Sequence, residues 1–192
     1  GQAFLSINKI EEAISSAHSG ITAEGDSSVL MQKVSKEYVS DYIAGRVSKQ
    51  NAKNSKSELC LLEAITDIDH MLSLIKHREN SILEDLSDKT KKTKGNEKEI
   101  YNIWMLNESN SIQSLAFCYG KRLSLEAFLA SSLFDKQNDK QKPVFLKIAL
   151  LDALLFINES LGWYSINGYI SSKAGLLIDE QISKYVKDLA LY

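Results

Sequence analysis

The sequence is poor in residues that break or bend a chain. One of its 192 residues is proline, Pro143, and nine are glycine. Proline inside a helix removes a hydrogen bond and collides with the preceding turn, so its scarcity leaves long stretches free to be helical. Two cysteines, Cys60 and Cys118, are too few for a disulfide framework, and both fall in apolar, helix-like segments, as reduced cysteines do. Basic charge is not in excess: 23 Lys and Arg against 25 Asp and Glu give a net charge of -2 and a pI near 6.0. Such a balance offers nucleic acid no general attraction, and Lys91, Lys92 and Lys94, in a polar stretch ending at Gly95, read as a solvated loop.

Long apolar runs are also lacking. No stretch of about eighteen apolar residues is present to span a membrane, and the first residues show no basic-then-apolar signal pattern. Ala190, Leu191 and Tyr192 do not form the small-basic-Leu peroxisomal address. No strand-like alternation and no internal repeat is legible.

What the chain does have is 44% hydrophobic residues, recurring every three or four positions over long segments, with 25% charged residues between them. That is the pattern of an all-α helical bundle. Ile7, Ile10, Ala13, Ile14 and Ala17 predict a first helix stopped near Gly20, with His18 at its end. Val29, Leu30, Val34, Tyr38 and Tyr42 predict a second from about Ser27 to Ile43, closed before Gly45. The polar run 46–56 reads as a linker. Leu59, Leu62, Ile65, Ile68, Leu72 and Ile75 predict a long third helix reaching Leu86 before the lysines. A fourth region, about 97 to 134, is expected to break near Asn110. Pro143 suits the first turn of a fifth helix, "PVFLKIALLDALLFINESLGW", apolar on most faces and therefore central. Ser171 or Ser172 is expected to cap a final amphipathic helix carrying Leu176, Leu177, Ile182, Tyr185, Val186 and Leu189.

Chemistry-bearing motifs are few. His70 and His77 lie two helical turns apart, roughly 10 Å along the axis, too far to share one metal, so they read as structural or surface residues. Phosphate-binding loops and serine nucleophile elbows are missing. Trp104 and Trp163 read as core or turn residues. The informative stretch is "TAEGDSSVLMQ", residues 22–32, where Glu24 stands before Gly25 and three good N-cap residues, Asp26, Ser27 and Ser28. Helix N-terminal N–H groups beside a carboxylate on a glycine turn could meet an anion or a polarised oxygen.

"GQAF", a helix, and then "ITAEGDSSVLMQKVSKEYV" resemble the end of the catalytic domain in the acyl-CoA dehydrogenase and acyl-CoA oxidase superfamily. There a Gly-Gly-x-Gly-aromatic segment precedes an aromatic-Glu-Gly turn, and the interval from Phe4 to Glu24 matches the family spacing. "EGD" with "SVLMQ", the roughly 150 residues that follow, and the late "ESLGWYSINGYISS" are similar to the oxidase branch. Ala3 and Ala23 depart from the pattern, standing where the family usually has glycine and an aromatic residue.

The resemblance implies roles residue by residue. Glu24 matches the base that removes the α-proton of a fatty acyl-CoA, with its own N–H bonding the thioester carbonyl. Gly25 matches the position whose smallness admits the thioester. Asp26, Ser27 and Ser28 match contacts to flavin adenine dinucleotide, FAD, and Gly1 matches the end of a segment reaching the flavin of a dimer partner. An α-proton of a thioester is weakly acidic, so donors must stabilise the developing enolate as a hydride leaves Cβ for the flavin.

On this resemblance residues 1–45 are the end of a catalytic helical domain, 46–56 a linker, and 57–192 an oxidase-type second helical domain. The amino-terminal helical and middle β-domains of the family are absent, so the chain alone is not expected to turn over substrate. The implied reaction is trans-2,3-dehydrogenation, with O2 reoxidising the flavin to give H2O2. A homodimer is implied, as is a peroxisomal location in a eukaryote or a cytoplasmic one in a bacterium. Two other readings are a non-catalytic helical scaffold or interaction module and a dehydrogenase served by an electron-transfer partner.

Overall fold

The computed structural model describes residues 7, 9–53, 65–134 and 140–190. Among them there is no strand, and the fold is all-α. The helices are α1 (Ile10–Glu24), α2 (Ser27–Ile43), α3 (Ile68–Lys92), α4 (Glu97–Tyr101), α5 (Ser109–Leu129), α6 (Lys142–Asn158), α7 (Leu161–Ile166), α8 (Ser172–Leu176) and α9 (Ile178–Leu189). A π-helical segment, Asn102–Asn107, joins α4 to α5. The expected positions Leu59 and Leu62 fall outside the described residues, as does Cys60.

Helix α3 organises the packing, lying against α5, α6 and α2. It starts where Asp67 accepts a hydrogen bond from the His70 N–H at 2.9 Å, and Lys89, Lys91 and Lys92 lie in its last turn. Cations there complement the negative end of the helix dipole, so Lys91 and Lys92 are helical, not the loop residues expected from sequence. Lys94 and Gly95, with φ of 49° and 85°, make the exit.

Two clusters form the core, and both draw on α3. Its first half supplies Met71, Leu74 and Ile75 to a larger cluster with α5, α6, α7, α8 and α9; its second half supplies Leu83 and Leu86 to a smaller one with Tyr38 and Val39 of α2 and Ile112 and Leu115 of α5. Helix α6 is central as expected, burying Ala149, Leu150, Ala153, Leu154, Phe156 and Ile157. The fifth and final predicted helices are each interrupted, at residues 159–160 and at Leu177, which lets the chain fold back over the larger cluster.

Helix α1 differs from the sequence expectation in length. It runs through Gly20 to Glu24, so His18 is interior, because one exposed glycine costs a helix only about 1 kcal/mol and does not stop it. Every described side chain of α1 is exposed. Helix α2, by contrast, is fixed: Ser35 Oγ donates to the Ile112 carbonyl at 2.6 Å, and the described part of the linker is pinned where Gln50 N–H donates to Asn80 Oδ1 at 2.8 Å.

Candidate functional site

The turn between α1 and α2 is two residues long. Gly25 takes φ of 98°, a left-handed conformation that side chains strongly disfavour. A Cβ placed there would meet nothing within 4 Å, so backbone conformation, not crowding inside this chain, requires glycine. Asp26 follows in an extended conformation and caps α2: its Oδ1 accepts from the Ser28 N–H at 2.8 Å, and its carbonyl accepts from Val29 and Leu30, each at 3.1 Å. The N-cap is therefore Asp26, with Ser27 and Ser28 as the exposed first two residues of the helix.

Glu24 is the last residue of α1, not a residue of an open loop. Its side chain and Gly1 lie outside what the structure describes. Helical N–H groups point to carbonyls four residues earlier. Offering the Glu24 N–H to a thioester carbonyl therefore requires the last turn of α1 to open. The described backbone brings Glu24, Gly25, Asp26, Ser27 and Ser28 together simply because they are consecutive.

One turn further along α2 a groove of about 640 Å³ opens. Val29, Lys33 and Lys36 of α2 form one wall, and Ile100, Tyr101 and Trp104 of α4 and the π segment form the other. The π segment, bonded from Glu108 N–H to the Ile103 carbonyl at 2.9 Å, swings Trp104 toward α2. Such single-turn π insertions are frequent at functional sites. Its floor is apolar, and its edge carries two ammonium groups, Lys33 and Lys36, together with the Glu97 carboxylate, so the lining suits a ligand that is apolar over most of its length. Trp104 is thus a groove wall as well as a residue packed on the smaller cluster. The expected break near Asn110 was the one trace of this element in the sequence.

Behind the groove, α2, α3 and α5 share a buried charge network. Arg122 donates from Nε to Glu79 Oε2 at 2.7 Å and from Nη2 to Glu79 Oε1 at 3.0 Å, while Tyr38 donates its hydroxyl to Oε1 at 2.8 Å. Arg122 also reaches Glu126 at 3.0 Å, which pairs with Lys76 at 2.8 Å. Burial, with the Glu79 charge beside it, pushes the Tyr38 hydroxyl up to about 12. Desolvation works to raise the Glu126 carboxyl, but bonds from Lys76 and Arg122 outweigh it and hold the group below the usual carboxylate range. The ion pair leaves a trace in the sequence: Glu79 falls on the apolar stripe of Ile75, Ile82 and Leu86, and Arg122 on that of Leu115, Cys118 and Leu125.

Histidine geometry agrees with a structural reading. The His77 ring lies 4.9 Å from that of Tyr169, which stacks on Trp163 at 5.5 Å, and His70 Nδ1 sits 3.0 Å from Asp67. Among the described residues no group of three or more His, Cys, Asp or Glu side chains is arranged to hold a metal, and no helix is long and apolar enough to cross a membrane.

No family model matches the chain, and no solved structure matches it. It is similar to a curated protein of Mus musculus, "Acyl-coenzyme A oxidase-like protein", with 26% identity over 196 aligned positions. The match takes in 89% of this chain and 29% of the mouse protein, so the chain spans less than a third of that relative's length. The similarity supports a distant relationship to acyl-CoA oxidase-related proteins.

Proposed function

We propose that the chain is the carboxy-terminal part of an FAD-dependent acyl-CoA oxidase, with Glu24 as its catalytic base. The observation that carries this reading is the mouse relative named for that family, matched across 89% of the chain. The α1–α2 turn agrees with it: a glycine that must be glycine follows Glu24, and a capped helix start follows the glycine.

The first turn of α2 fits a phosphate- or hydroxyl-bearing cofactor in one respect. Ser27 and Ser28 are exposed, and Asp26 already satisfies the Ser28 N–H, leaving both serine hydroxyls to outside partners. Bound there, FAD supplies a two-electron acceptor for the hydride leaving Cβ. Glu24 holds the α-proton on its carboxylate, and Gly25 presents no side chain to the thioester. A dry pocket would raise the affinity of Glu24 for that proton, and segments outside this chain are needed to close it.

The same reading divides the chain into a domain end at 1–45, a linker at 46–56 and a second helical domain at 57–192. Packing of α2 on α3 and α5 then becomes the interface between the two. Fatty acyl-CoA and O2 as substrates, a homodimer, and a peroxisomal or bacterial cytoplasmic setting follow from the reading as further proposals. The test is peroxide release from palmitoyl-CoA by a longer protein that carries this chain and the flavin. Glu24→Gln should lower the rate by roughly 10²–10⁴-fold with flavin absorbance retained; an unchanged rate removes Glu24 as the base.

A further inference from the structure

Helix α4 and the π segment that follows it are held differently at their two ends. Downstream, Glu108 pairs with Lys89 of α3 at 2.7 Å and accepts from Ser111 Oγ at 2.9 Å, and α5 then buries Ile112 and Leu115 in the smaller cluster. That end is fixed. Upstream, neither α4 nor the π segment has a buried residue, and the chain enters α4 through Lys94 and Gly95, both left-handed. A Cβ on Gly95 would meet nothing within 4 Å, so the entry turn has room to move.

Ile100, Ile103 and Trp104 are the half-buried apolar residues of this stretch. Tyr101, Trp104 and Met105 repeat the same spacing one position later, with Tyr101 58% and Met105 46% exposed. The apolar face is thus present in duplicate, offset by one residue. A π turn is the backbone that converts one copy into the other, because its bonds reach back five residues where those of an α-helix reach back four, and it holds the extra residue between them.

We propose that Asn102–Asn107 is a two-register switch that remakes one wall of the groove. The Glu108 N–H, which donates to the Ile103 carbonyl at 2.9 Å, passes to the Trp104 carbonyl. The segment becomes α-helical, the stretch upstream turns by about 100° and moves by about 1.5 Å, and each residue takes the place that its predecessor holds here. Tyr101 replaces Ile100, Met105 replaces Trp104, and Lys98 replaces Glu97 at the edge of the groove. The wall stays apolar while the charge on its edge changes sign, opposite Lys33 and Lys36. The switch is independent of the reading given above for Glu24.

Fluorine NMR of the whole chain labelled with 5-fluorotryptophan tests it, since Trp104 and Trp163 are the two tryptophans and Trp104→Phe assigns their lines. Helix register shifts run on the microsecond-to-millisecond scale, so the Trp104 line should be broadened by exchange and the Trp163 line sharp. Deleting Met105 removes the extra residue. The segment should then close as an α turn with both ends in place, the Trp104 line should sharpen, and the thermal midpoint should fall by less than about 4 °C. Deleting Phe117, also exposed but inside α5, throws half of that helix out of register and should lower the midpoint several times as far. A sharp Trp104 line in the native chain, a Trp104 line still broad after the Met105 deletion, or a Met105 deletion as damaging as that of Phe117 overturns the switch.

Discussion

Helix α1 and the body formed by α2 through α9 follow different rules. The body buries its apolar stripes, anchors even its linker through Gln50 and Asn80, and encloses a complete ion network. Helix α1 buries none of its described side chains, although Ile10 and Ile14 repeat at helical spacing. Yet the residues singled out for chemistry, Glu24 through Ser28, stand at the junction of the two. Of the two helices that meet there, α2 is anchored to the body through Ser35, whereas the described side chains of α1 are all exposed. Any pocket around Glu24 must therefore be finished from outside α1.

The comparison can be broken or sharpened by measurement. The largest effect belongs to the body: Arg122→Met strands the buried Glu79 carboxylate and should cost about 3–5 kcal/mol in denaturant unfolding. A loss under 1 kcal/mol would mean that water reaches the pair. Leu154→Ala, in the middle of α6, should cost about 2–5 kcal/mol by the same measurement.

At the junction Asp26→Ala removes the cap of α2, and about 0.5–2 kcal/mol should be lost. A larger loss would show that α2's first turn braces more than the helix itself. Smallest of all, Ile14→Ser in α1 should change the stability of the body by less than about 0.5 kcal/mol. A cost like that of Leu154→Ala would show that α1 docks in solution.

Alkaline titration offers one more contrast. Burial and the Glu79 charge push the folded Tyr38 hydroxyl from the ordinary tyrosine value of 10.0 up to about 12, so the folded state binds the proton more tightly than the unfolded one. Its contribution is complete below pH 10 and disappears as pH rises toward 12; Tyr38→Phe should flatten that decline in unfolding free energy. Glu126 works in the opposite direction. Its depressed carboxyl contributes stability above the ordinary glutamate value of 4.5 that is lost as pH falls through the lower folded value.

Much of the body was legible because it obeys periodicity. Helix α2 begins and ends where Asp26, Ser27 and Gly45 place it, and Pro143 opens α6. Boundaries slipped where two signals competed. Gly20 has the sequence signature of a stop, but a helix tolerates a lone exposed glycine. The lysines suit a solvated loop by their charge, and charge of that sign equally suits a helix end. The Glu24 turn was found from its residue types, since left-handed glycine and an N-cap are local chemistry. The groove was not, because Trp104 reaches α2 through a π turn that no period of three or four residues announces. The ion network was missed because a charged residue on an apolar stripe reads as noise until its partner, 43 positions away, is beside it.

Helix α3 threads both hydrophobic clusters, with α5 running alongside it through both. Unwinding α3 withdraws side chains from both at once, so the two should melt as one cooperative unit. Amide protons in the middle turns of its 25 residues should exchange only through global opening, at a common slow rate, while those of α1 exchange many orders of magnitude faster.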